Sequence, residues 1–243
     1  MAQAGWPIFN HGAHTHGRPL SQKVLLEALF MTILATLALA AMFGFQDRKL
    51  TLETGRSAIS YGINPGTEPV QNTTSPFHTY ISVNGGSASL SSDSSFTINA
   101  KVESSKAYDD AISALIPYDL LLTWGDMADE DIDSRLVWEQ GDRKGQVSGS
   151  LGGTSGVDMS SDYVIRHVSN NHVIPSNARM EKALKNVKAG DMVRIDGRLV
   201  DVRMSLNDGR VLTVNTSKTR TDQGEGACEI IYVEHLRVNG QTY

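Results

Sequence analysis

The chain has 243 residues, a formal net charge of −5 and one cysteine. That balance carries no basic footprint for nucleic acid, and a lone thiol excludes an internal disulfide framework. Few aromatics and 22 glycines suit a β-rich region with many turns.

Residues 1–23 read as a polar tail. They carry His11, His14 and His16 in NHGAHTHG, a spacing that could bind a metal, although no carboxylate or cysteine completes a ligand set. The stretch Val24 to Phe45, VLLEALFMTILATLALAAMFGF, is the strongest apolar signal. Residues 28–46 carry no charge, which at helical rise gives about 28 Å, close to the bilayer core. A transmembrane helix over 24–45 is therefore expected, with a cleaved signal peptide ending near Ala38-Leu39-Ala40 as the alternative. Arg48, Lys49 and Arg56 against Arg18 and Lys23 tilt towards a cytoplasmic C-terminal region. A short leader followed by one span and a large domain points the other way, and the expectation is a periplasmic domain. Ala35, Ala38, Ala40, Ala41 and Gly44 would let the span pack against other membrane proteins.

Residues 46–95 read as a stem with short strands, because SAISYGI and HTYISV are set among INPGTEPVQNTTSP and NGGSASLSSDSS. The compact domain is expected over 96–243. Phe96, Ile98, Ala100 and Val102 alternate with polar residues, as in a half-buried strand. A helix is predicted after Ser105, with Tyr108, Ala111, Ile112 and Leu115 on one face and Pro117 as its stop. YDLLLTWGDM and the acidic DEDID follow. Residues 141–161 are predicted as a flexible loop or wide hairpin, and Tyr163–Val168 as a strand. A second helix is predicted from near Asn177, with Met180, Leu184 and Val187 inward, ending at Gly190.

The carboxy-terminal third is the clearest β region. Val193, Ile195 and Leu199 share one parity and Val200 and Val202 the other, and a phase switch beside Gly197 reads as a bulge or barrel corner. Asn207-Asp208-Gly209 is a hairpin turn leading into VLTV. CEIIYVEHL is apolar on both parities and should be a central strand. The element order predicts an α+β fold: a small β-barrel, of the oligonucleotide/oligosaccharide-binding (OB) type or a relative, with two short helices, one plugging an end.

Four polar clusters could carry chemistry: Trp124-Gly125-Asp126-Met127; Asn170-Asn171-His172-Val173-Ile174-Pro175, read as a turn before a helix; Lys185 to Asp191; and Thr219 to Glu229, dense in charge and glycine. The W-G-x-M, N-x-H-x-I-P, G-D-x-V and T-R-x-D-x-G-x-G-A-C-E segments resemble a family of uncharacterised, single-span bacterial membrane proteins, over roughly 96–234. The resemblance implies a bacterial inner-membrane protein with its domain on one face, and it implies no activity. The Gly/Ser stretch 141–161 and the tryptophan-free VLTVNTS depart from that pattern. The span, the L-x-x-V-x-x-G-D turn, His172, Arg220 and Cys228 also resemble sortase-type transpeptidases. That resemblance implies an imidazole acid/base, an oxyanion-binding arginine and a thiol nucleophile. It departs from sortases in placing Ser217 where LTVNTS would carry the nucleophile.

Each of these residues has a plainer role. Cys228 opens an apolar strand and could be a small core residue. His172 could hydrogen-bond a turn, and Arg220 with Asp222 could order a loop. The leading expectation is a membrane-anchored, non-catalytic accessory or interaction protein with the bilayer and other membrane proteins as partners. The alternative is a sortase-like cysteine transpeptidase or hydrolase using His172, Cys228 and Arg220. Candidate binding residues are Trp124, Asn171, His172, Arg220, Asp222 and Glu229. No cofactor is expected, and metal binding rests only on His11, His14 and His16.

Overall fold

In a computed structural model of the protein, residues 62–149, 161–222, 224 and 226–243 are described. The predicted span over 24–45, the amino-terminal histidines, the start of the stem and the Gly/Ser stretch 150–160 lie outside them. Among the described residues, no helix is long and apolar enough to cross a membrane.

The described residues form a β-rich α+β domain with three short helices. The strands are β1 (Val70–Val83), β2 (Gly86–Ala107), β3 (Tyr118–Thr123), β4 (Leu136–Gly141), β5 (Lys144–Gly149), β6 (Val168–Pro175), β7 (Met192–Leu206), β8 (Val211–Val214), β9 (Glu229–Val238) and β10 (Gln241–Thr242). The helices are α1 (Glu130–Asp133), α2 (Ser161–Arg166) and α3 (Ala178–Leu184). Five strands pair in a closed ring: β2 with β3, β3 with β6, β6 with β9, β9 with β7, and β7 back to β2. Every pairing in the ring is antiparallel except β6 with β9. The hairpin β4–β5 forms a separate two-stranded sheet.

Strand alternation fills the ring. Ile98, Ala100 and Val102 of β2, Leu120 and Leu122 of β3, Val173 of β6, Val193 and Ile195 of β7, and Ile231 and Val233 of β9 form one buried cluster. Met180, Ala183 and Leu184 of α3 join it, so the helix plugs the end where β6 finishes and β7 begins. The Asn177 side chain caps α3 by accepting from the backbone N–H groups of Arg179 (2.9 Å) and Met180 (3.1 Å), satisfying two donors that the first turn leaves open.

β2 and β7 run on beyond the ring, and their apolar faces switch sides there. Leu199 belongs to the barrel core, whereas Val200, Val202 and Met204 pack with Ala88, Leu90, Ile174 and Ile230 in a second, outer cluster. Opposite this switch, β2 carries a bulge between Ser91 and Ser94. Gly197 marks a second bulge, against β9, where a Cβ would meet the Tyr232 carbonyl oxygen at 2.1 Å.

Four local expectations change. Residues 70–95, expected as part of a stem, form β1 and the first half of β2, held by cross-strand pairing to β7 and by the outer apolar cluster. The helix predicted after Ser105 is replaced by the end of β2, where Ala107 pairs with Tyr118, and by a turn in which Asp110 accepts from Ile112 N–H (3.1 Å). Asp110 thus offers the backbone a turn in place of a helix. The strand predicted at Tyr163–Val168 is mostly helix α2, and the polar run Asn170–Pro175, read as a turn, is the core of β6. A strand flanked on both sides in a closed ring satisfies its backbone through its neighbours, so polar side chains on its outer face do not prevent it from forming.

Candidate functional site

The alternation of β6 divides its polar residues. Asn171 faces the barrel interior with Val173, whereas Asn170 and His172 face outward with Ile174. β9 is divided in the same way, and its parallel register sets Asn171 beside Glu229 and His172 beside Ile230. Two polar clusters result, one on each side of the same wall.

The outer cluster centres on His172. Asp119, the second residue of β3, lies opposite it in register, and its carboxylate has no exposure to solvent. His172 Nδ1 is 2.8 Å from Asp119 Oδ1. Asn170 Nδ2 links this pair to the Cys228 thiol, lying 3.4 Å from Asp119 Oδ2 and 3.7 Å from Cys228 Sγ. Burial would lower the His172 pKa, but the Asp119 carboxylate and Cys228 outweigh it and push it up to about 9. The ring is therefore charged at neutral pH. Cys228 is half-buried, with Sγ 3.7 Å from Asn170 Nδ2 and 3.9 Å from the Arg143 carbonyl oxygen.

Arg143 ties this cluster to the chain around it. It sits at the tip of the β4–β5 hairpin, where it donates to Asp119 Oδ1 (3.1 Å), to both oxygens of Asp110 (2.7 and 2.8 Å), to Ser113 Oγ (3.1 Å) and to the Ile116 carbonyl (3.0 Å). The guanidinium stacks over the Tyr108 ring at 4.3 Å. Hydrogen bonds from Arg143 and the turn hold the Asp110 carboxyl down to about 2.

The inner cluster holds Arg220, Glu229 and Asn171. Arg220 pairs with Glu229 and lies over the Phe96 ring, 5.3 Å from its centroid. Burial pushes the Glu229 carboxyl up to about 7, against the pull of Arg220. Arg220 Nη2, Glu229 Oε2 and Asn171 Oδ1 are buried with no hydrogen-bond partner among the described residues. Asp222 binds Ser217 Oγ (2.7 Å) and adds repulsion at Glu229.

The structure thus places His172 and Cys228 in one cluster, joined through Asp119, Asn170 and Arg143, which the sequence reading did not select. Arg220 is not brought to the thiol; it is bound to Glu229 on the inner side. Trp124 is fully buried in the core and donates from Nε1 to Glu68 Oε2 (3.0 Å), so it offers no ring face to a ligand. The signal that could have found Asp119 is one acid inside the apolar run YDLLLTW. Such a residue is buried on one parity of a strand and needs a cationic partner. Among the described residues, no group of three or more His, Cys, Asp and Glu side chains is arranged to hold a metal ion.

No protein-family model, curated protein or solved structure matches the chain.

Proposed function

We propose that the domain is a thiol-dependent acyl transferase or hydrolase, with Cys228 as nucleophile, His172 as acid/base and Asp119 as the group that orients the ring. The carrying observation is a half-buried thiol and an imidazole gathered around Asn170 on one face, the imidazole Nδ1 held at 2.8 Å by a wholly buried carboxylate. A nucleophile, a base and a third group orienting the base is the constellation that covalent acyl chemistry uses.

In the proposed reaction the Cys228 thiol gives up its proton to solvent and its sulfur attacks an acyl carbon, while the charged His172 ring holds the proton for the leaving group. A C–S bond forms, the bond to the leaving amine or alcohol breaks, and His172 gives that group its proton. Water or a second amine then attacks the thioester carbon, passes its proton to His172 and releases the sulfur. Asn170 Nδ2, near Sγ, is the nearest side-chain donor for the oxyanion. Arg220, which the sortase resemblance would cast in that role, is committed to Glu229.

The barrel supports an OB-type assignment, through its ring order, its single parallel contact and a helix between its third and fourth strands. OB barrels bind ligands across their second and third strands and the loops beside them. Here those strands are β3 and β6, which carry Asp119, Asn170 and His172. We further propose that residues 24–45 anchor the domain in the inner membrane with the barrel in the periplasm.

A second reading, a non-catalytic accessory protein, is favoured by the number of Arg143 contacts that close the hairpin over the same face. Treating the full-length protein with an activated acyl thioester and weighing it intact separates the two. The enzyme reading expects one acyl group on Cys228 of the wild type and far slower loading in His172→Asn. No acyl adduct in the wild type leaves the accessory reading.

A further inference from the structure

We propose that the β4–β5 hairpin is a displaceable lid over the Cys228 site, latched shut by Arg143. The inference rests on the thiol-site reading and concerns how that site is reached.

The hairpin shares no sheet with the barrel. It lies against the outer face of β3 and β6, the floor that carries Asp119, Asn170 and His172. Gly145 makes the closest approach: a Cβ there would stand 2.4 Å from Leu121 Cδ1 and 3.4 Å from Asn170 Cβ. The tip covers the thiol directly, since the Arg143 carbonyl accepts from Asn170 Nδ2 (3.0 Å) and faces Cys228 Sγ at 3.9 Å. Asn170 Nδ2, the side-chain donor beside the sulfur among the described residues, is therefore occupied by the lid. A substrate carbonyl would have to displace the Arg143 carbonyl to use it.

The polar contacts of the hairpin are unevenly distributed. Along its length, Gln140 Nε2 donates to Asn170 Oδ1 (2.7 Å), and Lys106 donates to the Gln140 carbonyl (2.9 Å). At its base, Trp138 Nε1 donates to Asp133, which is itself paired with Lys101. At the tip, Arg143 alone binds Asp110, Asp119, Ser113 and the Ile116 carbonyl, and its own N–H donates to Tyr108 Oη (3.2 Å). Asp142 and Arg143 both sit at positive φ, 48° and 61°. A two-residue hairpin turn with two such residues favours Asn and Gly, so the side-chain contacts of Arg143 hold a turn its residue type does not favour. Releasing that side chain leaves the tip on its backbone contacts with Asn170 and Tyr108 and on Gln140, while the base stays attached through Trp138. Lifted, the hairpin uncovers a trough along β3 and β6 with Cys228 at one edge.

The test uses the full-length protein and two maleimides with the same warhead, N-methylmaleimide and N-cyclohexylmaleimide, with labelling of the single cysteine followed by intact mass. The ratio of the bulky to the small rate reports access and cancels changes in thiol nucleophilicity. Arg143→Ala removes the latch, and Asp110→Asn weakens it without touching the Asp119–His172 contact. The lid expects the ratio to rise about tenfold in Arg143→Ala and about threefold in Asp110→Asn, the scale of losing charge-assisted hydrogen bonds. If Arg143→Ala does not fold, the Asp110→Asn ratio decides alone. A wild-type ratio in the folded variants overturns the lid. His172→Asn should slow both reagents together and keep the wild-type ratio. Should it slow neither, the thiol-site reading fails while the access result stands.

Discussion

Replacing Asp119 by Asn should move the titration of His172 down from about 9 towards the ordinary 6.5, leaving only the part of the rise that Cys228 supplies. The ordinary value for the group is 6.5, and burial acts on this ring to lower it further. The distance from 6.5 to about 9 corresponds to about 3 kcal/mol of preference for the charged ring. Asp119 is the main source, through a 2.8 Å contact with no solvent at the carboxylate. Asn preserves the shape and an acceptor oxygen but removes the charge, and Asp110 still holds Arg143. The pKa of the folded ring is raised, so its contribution to stability is complete below 6.5 and is lost as pH rises through about 9. Wild-type protein should therefore lose about 3 kcal/mol from this group between pH 6.5 and 9, and Asp119→Asn should lose clearly less. An NMR titration of the His172 ring, assigned with His172→Gln and paired with urea unfolding at both pH values, reads both effects. A His172 ring that still titrates near 9 in Asp119→Asn would refute the role given to the carboxylate.

The buried carboxyls give a second pH signature. Glu229 and Glu103 are both pushed up to about 7, first by burial, so the folded chain holds more protons than the unfolded chain from about 4.5 to 7, and stability should fall as pH rises across that window. Glu229→Gln should remove about 3 kcal/mol of that fall, read from melting temperatures at pH 4.5 and 8; an unchanged slope contradicts the assignment. Gly145→Ala should cost about 1–3 kcal/mol by overpacking against Leu121, and denaturant unfolding with wild-type stability would show that the hairpin seat is looser than described.

The elements that declare themselves locally were legible in the sequence. Asn177 before an apolar 3.6-residue repeat gave α3, Asn207-Asp208-Gly209 gave the turn after β7, and an apolar run on both parities gave β9 as a central strand. The barrel corner at Leu199–Val200 was visible as a change of parity. What was missed depends on partners distant in the chain. β6 is polar on its outer face and is a strand because β3 and β9 flank it. The first half of β2 looked like a linker because its serines alternate with only Ala88 and Leu90, and its pairing with β7 spans more than a hundred residues. His172 and Cys228 were legible as residue types, but their orienting partner was not. Asp119 acquires its role only when β3 and β6 come into register.

The measurement closest to the central claim is the alkylation rate of Cys228 at pH 7 in full-length wild type and His172→Asn, using iodoacetamide and intact mass. The same hairpin covers the thiol in both, so the comparison isolates the imidazole. A sulfur activated by His172 should react at least about tenfold faster in the wild type, because the thiolate is the nucleophile. Equal rates in the two proteins would show that His172 does not activate Cys228, and the pair would then be a structural contact.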